Sequence, residues 1–152
     1  MKRVIFRCLF WALWPLTWFY APLRIRPRLM VVVDDYYLAV KPCFGGGGWQ
    51  LPGGGRRGNE LLKSAAVREL KEEVGILVNE DQVFELMSQA TYIEYGLMLR
   101  YAVFVIRLKN RPQVVCNREL LTYAWLSIAN KQKLLPHIEQ SLNALKQSNL
   151  LQ

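Results

Sequence analysis

The apolar positions change period several times along the chain, and each change marks an element. From Leu29 to Val40 the run LMVVVDDYYLAV is almost continuously apolar and is broken once, by Asp34-Asp35. A short apolar run interrupted by turn residues predicts strand, turn, strand. Residues 45–58 hold GGGG, then WQLPGGG, then one more glycine at position 58. Such a stretch is a loop, and glycine lets backbone come close to a ligand. Residues 60–74, ELLKSAAVRELKEEV, are rich in strong helix formers. Leu62, Ala66, Leu70 and Val74 recur every four residues, which predicts a helix with one stripe facing a core. Gly75 stands where a C-terminal cap belongs. Residues 83–95 and 97–108 are β-branched and aromatic around Gly96 and predict two antiparallel strands. Trp125 to Ile128 predicts one more strand. Pro136 to Gln147 predicts a final helix with Ile138, Leu142 and Leu145 on one face. This mixture predicts an α/β domain over residues 29–152.

The first 28 residues do not share that pattern. Residues 8–23, CLFWALWPLTWFYAPL, carry no charge and include Phe10, Trp11, Trp14 and Trp18. As a helix the run spans about 24 Å, short of a ~30 Å hydrocarbon core. Extending it back to Val4 takes in Arg7, and Pro15 kinks any helix through it. Cations flank both ends and leave the orientation open, while the aromatic residues suit the headgroup level. No small-residue cleavage site follows. Three readings stay open for this hydrophobic, basic, helical extension. It lies on a membrane surface through residues 4–23, it spans the bilayer, or it packs as a flap on the domain or on a second subunit. The last leaves an oligomer open.

Charge sharpens this division. The net charge is +8, from 20 Lys and Arg against 12 Asp and Glu. Lys2, Arg3, Arg7, Arg24, Arg26 and Arg28 are offset by no acid in the first 28 residues. The basic character therefore belongs to the N-terminus and not to the domain, so no nucleic-acid partner is expected. With 52% apolar and 21% charged residues, the chain is neither disordered nor a coiled coil. The lone His137 excludes a His-based metal centre and a Ser-His-Asp triad. Cys8, Cys43 and Cys116 are scattered, suit a reducing compartment and are expected to be inert. A cytoplasmic domain, free or held at the cytoplasmic face of the membrane, follows as the expectation.

The chemistry concentrates at residues 54–76, GGRRGNELLKSAAVRELKEEVGI. Glu69, Glu72 and Glu73 stand at i, i+3 and i+4, so one helix face presents three carboxylates. Like charges at that spacing cost a few tenths of a kcal/mol per pair in an isolated helix. One reading is a solvated face neutralised by Lys63, Arg68 and Lys71. The other is a site for a hard divalent cation, which takes oxygen ligands. The spacing resembles the Nudix box of the Nudix hydrolases, G-x5-E-x7-R-E-U-x-E-E-x-G-U with U aliphatic, and every defined position matches. Trp49-Gln50-Leu51-Pro52-Gly53 also resembles the lead-in of that family. One departure is Gly58-Asn59-Glu60 in place of the common Pro-Gly-Glu, at unchanged loop length.

The resemblance implies a three-layer α-β-α sandwich with a mixed sheet. It implies hydrolysis, with Mg²⁺ or Mn²⁺, of a diphosphate bond in a nucleoside diphosphate linked to another moiety. By the same resemblance Glu69, Glu72 and Glu73 are the expected metal ligands, with the carbonyl of Gly54. Arg68 and Glu60 are expected to orient them through a salt bridge. Glu69 is alternatively the base, and Glu119, six residues before Trp125, is the other candidate. Gly54, Gly55, Lys41 and Arg57, with Arg56, are the candidates for contact with substrate. Glu85 and Glu94 are read as solvent-facing, and His137 as structural or exposed. The box does not name the second moiety; the N-terminal run points to a membrane-proximal one, such as a CDP-alcohol or a nucleotide sugar. The alternative is a nucleotide-binding sensor or a membrane-tethered adaptor without catalysis.

Overall fold

The computed structural model describes residues 24–43, 48–94, 97–129 and 135–148. The expected N-terminal helical extension and Cys8 lie outside the described residues. Within them the order is β1 (Ile25–Val33), β2 (Tyr36–Pro42), α1 (Leu62–Val74), β3 (Phe84–Glu94), β4 (Leu97–Arg107), β5 (Leu120–Ser127) and α2 (Pro136–Gln147). The strands form one mixed sheet in the order β3-β4-β1-β2-β5. β1 runs parallel to β4, with Ile25 opposite Arg100 and Val32 opposite Arg107. The neighbours β1–β2, β2–β5 and β3–β4 are antiparallel.

β1 and β2 sit inside the sheet and are covered on both faces, which is why their run is nearly unbroken in apolar residues. Leu29 and Val31 pack under α1 with Leu38 and Val40. Met30 and Val32 face the opposite layer, with Tyr37, Ala39 and the α2 residues Ile138, Leu142 and Leu145. The expected stripe of α1 holds, because Ala66, Leu70 and Val74 are fully buried. Gly75 ends the helix in the left-handed region at φ 72°, and its N–H donates to the Lys71 carbonyl. The α-β-α sandwich expected from the sequence is the observed one.

Three boundaries differ from the expectation. β1 starts at Ile25, because Arg26 and Arg28 sit in its ladder with β4; charge masked the strand. β5 starts at Leu120, before Trp125. It is an edge strand whose Leu121, Thr122 and Tyr123 are exposed, so burial imposes little pattern there. α1 starts at Leu62, because the Glu60 carboxylate caps the preceding loop by accepting from the Arg57 N–H at 3.1 Å.

β2 is antiparallel to both of its neighbours. The start of β1, the end of β2 and the start of β5 therefore meet at one end of the sheet. Gly53, Gly54 and Gly55 and the Glu69 and Glu73 side of α1 close over that end.

Candidate active site

The loop after β2 first returns to the sheet. Gln50 and Val40 exchange two backbone hydrogen bonds of 2.8 Å, and the Leu29 N–H donates to the Pro52 carbonyl at 2.9 Å. Gly53 then turns at φ 140°, a conformation that side chains rarely adopt. Its N–H donates to Glu73 Oε2 at 2.8 Å. Gly54 passes so close to α1 that a Cβ there would lie 2.6 Å from the Glu69 carboxylate. Glycine at these two positions is what lets main chain meet carboxylate.

Arg68 ties the rest of the loop to the helix. Its guanidinium donates to Glu60 at 3.0 and 3.1 Å, to Glu69 at 2.7 Å, to Glu72 at 3.1 Å and to the Gly55 carbonyl at 2.8 Å. The expected salt bridge between Arg68 and Glu60 is present. It holds Glu60 below the usual carboxylate range, and Glu60 in turn raises Arg68.

A cleft of about 910 Å³ opens at this end of the sheet. Glu69, Glu73 and Glu119 line it together with Gly54 and Gly55; Arg24, Arg26, Arg28 and Arg56 line it with opposite charge. Glu119 reaches it from the turn before β5, where the Asn117 side chain accepts the Glu119 N–H at 2.9 Å and the Cys43 N–H donates to the Glu119 carbonyl at 2.7 Å.

Not every candidate arrives there. Glu72 is exposed and outside the lining of the cleft, accepting from Arg57 at 2.9 Å and from Arg68. That ion pair draws Arg57 away from the cleft, and its neighbour Arg56 lines it instead. Lys41 is also outside the lining, which Pro42 supplies, because successive strand residues face opposite ways. His137 is fully buried, stacked on Tyr101 with ring centroids 5.2 Å apart. Burial and then the Arg28 charge push it down to about 3, so it stays neutral at ordinary pH. Cys43 and Cys116 are free thiols. Arg28 and Gln50 belong to the site and were missed, because Arg28 reads as part of the basic N-terminus. The one available signal was its position directly before an apolar strand.

Glu73 has the most perturbed carboxyl of the group. Burial pushes it up to about 7; Arg28 and the Gly53 N–H act against this, while Glu69 and Glu119 add to it. A raised carboxyl holds its proton in the folded state at a pH where the unfolded chain has lost it. Stability from this group is therefore full below about 4.5 and is lost as pH rises through about 7. The upper figure for the metal-free protein is about 3 kcal/mol. Melts in EDTA check this: relative to Glu73→Gln, the wild type is expected to lose several degrees of Tm between pH 5 and pH 8. A constant difference between the two proteins across that range would remove the claim.

Among the described residues no three His, Cys, Asp or Glu side chains converge as a finished ligand set. Arg57 and Arg68 hold Glu69 and Glu72 instead. The donor chemistry nonetheless fits a hard divalent cation. The carboxylates of Glu69 and Glu73 lie against the backbone of Gly53 and Gly54, both acids offer oxygen ligands, and Glu73 is a partly buried acid whose charge burial opposes.

Comparison with known proteins places this arrangement. The NUDIX domain model matches residues 25–145. The chain belongs to the NUDIX family. Among its relatives, the 8-oxo-dGTP diphosphatase of Buchnera aphidicola subsp. Acyrthosiphon pisum (strain APS) is 34% identical over 105 residues, covering 68% of this chain and 81% of that protein. The Nudix fold recurs in solved structures. A MutT NUDIX hydrolase from Burkholderia pseudomallei superposes with a TM-score of 0.68 at 23% identity, covering 80% of this chain and 97% of that one. An Ap4A hydrolase from C. elegans, in a binary complex, gives 0.69 at 18% identity, covering 82% and 96%. The protein is a Nudix pyrophosphohydrolase, an enzyme acting on diphosphate bonds.

Proposed function

We propose that this enzyme uses Mg²⁺ or Mn²⁺ to hydrolyse a nucleoside diphosphate joined to another group, with nucleoside triphosphates as the first substrate class. The observation that carries the reading is the meeting of Glu69, Glu73 and Glu119 in one cleft, where Gly54 leaves no side chain between backbone and carboxylate. The name of the Buchnera relative supports the triphosphate.

Glu69 and Glu73, with the Gly54 carbonyl, would hold the cation, and Glu72 would join them by giving up Arg57. The cation supplies neutralisation of phosphate charge and acidification of water. The chain's own residues do the rest. Arg68 keeps Glu69 and the loop in register through Glu60 and the Gly55 carbonyl. Glu119 stands on the cleft wall as the candidate to take a proton from the attacking water, with Glu69 as the alternative. Arg24 and Arg56 stand in the lining, where they can meet phosphate oxygens. A diphosphate resists hydrolysis because its oxygens repel a nucleophile, and cations around it relieve that repulsion. Residues 4–23 are carried in this reading as a membrane-surface segment, which puts membrane-proximal diphosphates second.

The test is phosphate or pyrophosphate release from a panel. It contains nucleoside triphosphates including 8-oxo-dGTP, nucleotide sugars, dinucleoside polyphosphates, ADP-ribose and CDP-alcohols, each with Mg²⁺ and with EDTA. Turnover of the triphosphates with Mg²⁺, lost by about 10³-fold or more in EDTA, is the expected result. Turnover confined to CDP-alcohols or nucleotide sugars would replace the substrate class. A folded protein that binds nucleotides and releases no product from any of them would overturn the catalytic reading.

A further inference from the structure

Arg28 is a buried cation that the chemistry above does not use. It projects from β1 toward the α2 layer and is only 7% exposed. Its Nη1 donates to the Leu51 carbonyl at 3.1 Å and to the Gly53 carbonyl, and its Nη2 donates to Gln50 Oε1 at 3.3 Å. The guanidinium lies 5.6 Å from the centre of the Tyr101 ring. Among the described residues no carboxylate forms an ion pair with it. Burying an ion costs several kcal/mol, and an apolar residue of similar volume often serves stability as well or better. A charged fork at this position therefore calls for a geometric reason.

The reason lies in what the fork grips. Three successive carbonyls, of Leu51, Pro52 and Gly53, are all held by β1. Arg28 holds the first and third with its side chain, and the Leu29 N–H holds the second. This fixes the peptide planes on both sides of Gly53 in their unusual turn at φ 140°. The N–H of that residue meets Glu73, and the next residue presses against Glu69. Arg28 and Glu73 thus grip Gly53 from opposite sides.

We propose that Arg28 is a positioning residue for the hydrolysis: by holding the carbonyls of Leu51 and Gly53 it fixes the turn that aims the Gly53 N–H at Glu73 and sets Gly54 against Glu69. The proposal rests on the reading that Glu69 and Glu73 hold the divalent cation. One guanidinium nitrogen, Nη1, grips both carbonyls while Nη2 holds Gln50 in the same plane; a lysine ammonium sits on a shorter, flexible stem and has no second nitrogen for Gln50. Groups that orient metal ligands are commonly worth 10- to 100-fold in metal affinity or activity.

The experiment uses the full chain and the variants Arg28→Lys and Arg28→Met. Binding of Mn²⁺ alone is read from the electron paramagnetic resonance of the free ion, and kcat and KM are measured on the substrate that the panel identifies. Both variants are expected to weaken Mn²⁺ binding by about 10- to 100-fold and to lower kcat by a similar factor, with KM changed by less than about threefold. A merely structural role would lower Tm and leave Mn²⁺ affinity per folded molecule unchanged, and that result overturns the proposal. Full activity and Mn²⁺ affinity in Arg28→Met would also overturn it, since the two carbonyls would then need no side-chain donor. If both variants fail to fold, Gln50→Ala removes one acceptor of the fork without stranding a charge. It is expected to weaken Mn²⁺ binding about threefold, and no change would count against the proposal. A wild type that binds no Mn²⁺ defeats the ligand reading itself, and this proposal falls with it. Wild-type binding with unaffected variants defeats only the role of Arg28.

Discussion

Glu73→Gln is expected to leave the protein folded and to lower kcat by about 10²- to 10³-fold, roughly 3–4 kcal/mol of transition-state stabilisation. The two halves of that expectation have separate physical grounds. Glutamine keeps the volume of the side chain and keeps an oxygen to accept the Gly53 N–H. It also removes a charge that burial already opposes, since the carboxyl is pushed up to about 7. The metal-free variant is therefore expected to be at least as stable as the wild type above that pH. The chemistry loses what the fold does not need. A neutral amide is a poor ligand for a hard cation, and it leaves phosphate charge in the cleft unopposed. Melting curves in EDTA and steady-state kinetics in Mg²⁺ separate the two. A variant that retains more than about a third of wild-type kcat would remove Glu73 from the ligand set. A variant that unfolds would show that Glu73 supports the turn at Gly53 and not only the cation.

The contrast between Glu73 and Arg28 shows what the sequence could and could not convey. α1 was legible because two signals coincide on it: a four-residue apolar stripe ending in Val74 and Gly75, and carboxylates at fixed intervals. The salt bridge from Arg68 to Glu60 was legible for the same reason, as both residues stand at fixed spacing in the box. Arg28 was not legible, since its partners are backbone carbonyls and any residue supplies a carbonyl. Its charge also joined it to Arg24 and Arg26, which blurred the start of β1. Lys41 and Arg57 were each one residue out of phase with the cleft. On a strand the neighbour faces the other way, so Pro42 lines the site. In the loop Glu72 captures Arg57, and Arg56 remains in the lining. β5 stayed hidden over its first five residues because an edge strand is not forced into alternation by burial.

The adjacent glycines of the loop give the second large effect, and they separate stability from chemistry. Gly53→Ala is expected to destabilise the fold by about 3–4 kcal/mol, the range for backbone strain combined with a steric clash. At φ 140° an L residue is strained whatever the space around it. Space is lacking as well: the added Cβ would press on the Pro27 carbonyl and come within 2.9 Å of the Arg28 Cα. Neither can retreat, because Pro27 and Arg28 are registered in β1 against Ala102 and Val103 of β4. For a domain of this size the loss is on the order of 10 °C in Tm. At Gly54 the three atoms nearest to the added Cβ all belong to the carboxylate end of Glu69, from 2.6 Å, and a side-chain terminus can swing aside. Gly54→Ala is therefore expected to keep most of the stability and lose catalysis, since the group that moves is a candidate ligand. At Gly55 nothing lies within 4 Å and no unusual backbone angle intervenes, so Gly55→Ala is expected to change stability by less than about 0.5 kcal/mol. Thermal melts of the three variants, set beside their Mn²⁺ affinities, test this order. Equal Tm losses at Gly53 and Gly55 would mean that the turn is not held as described. An unimpaired Gly54→Ala enzyme would mean that Glu69 has no need of the bare backbone beside it.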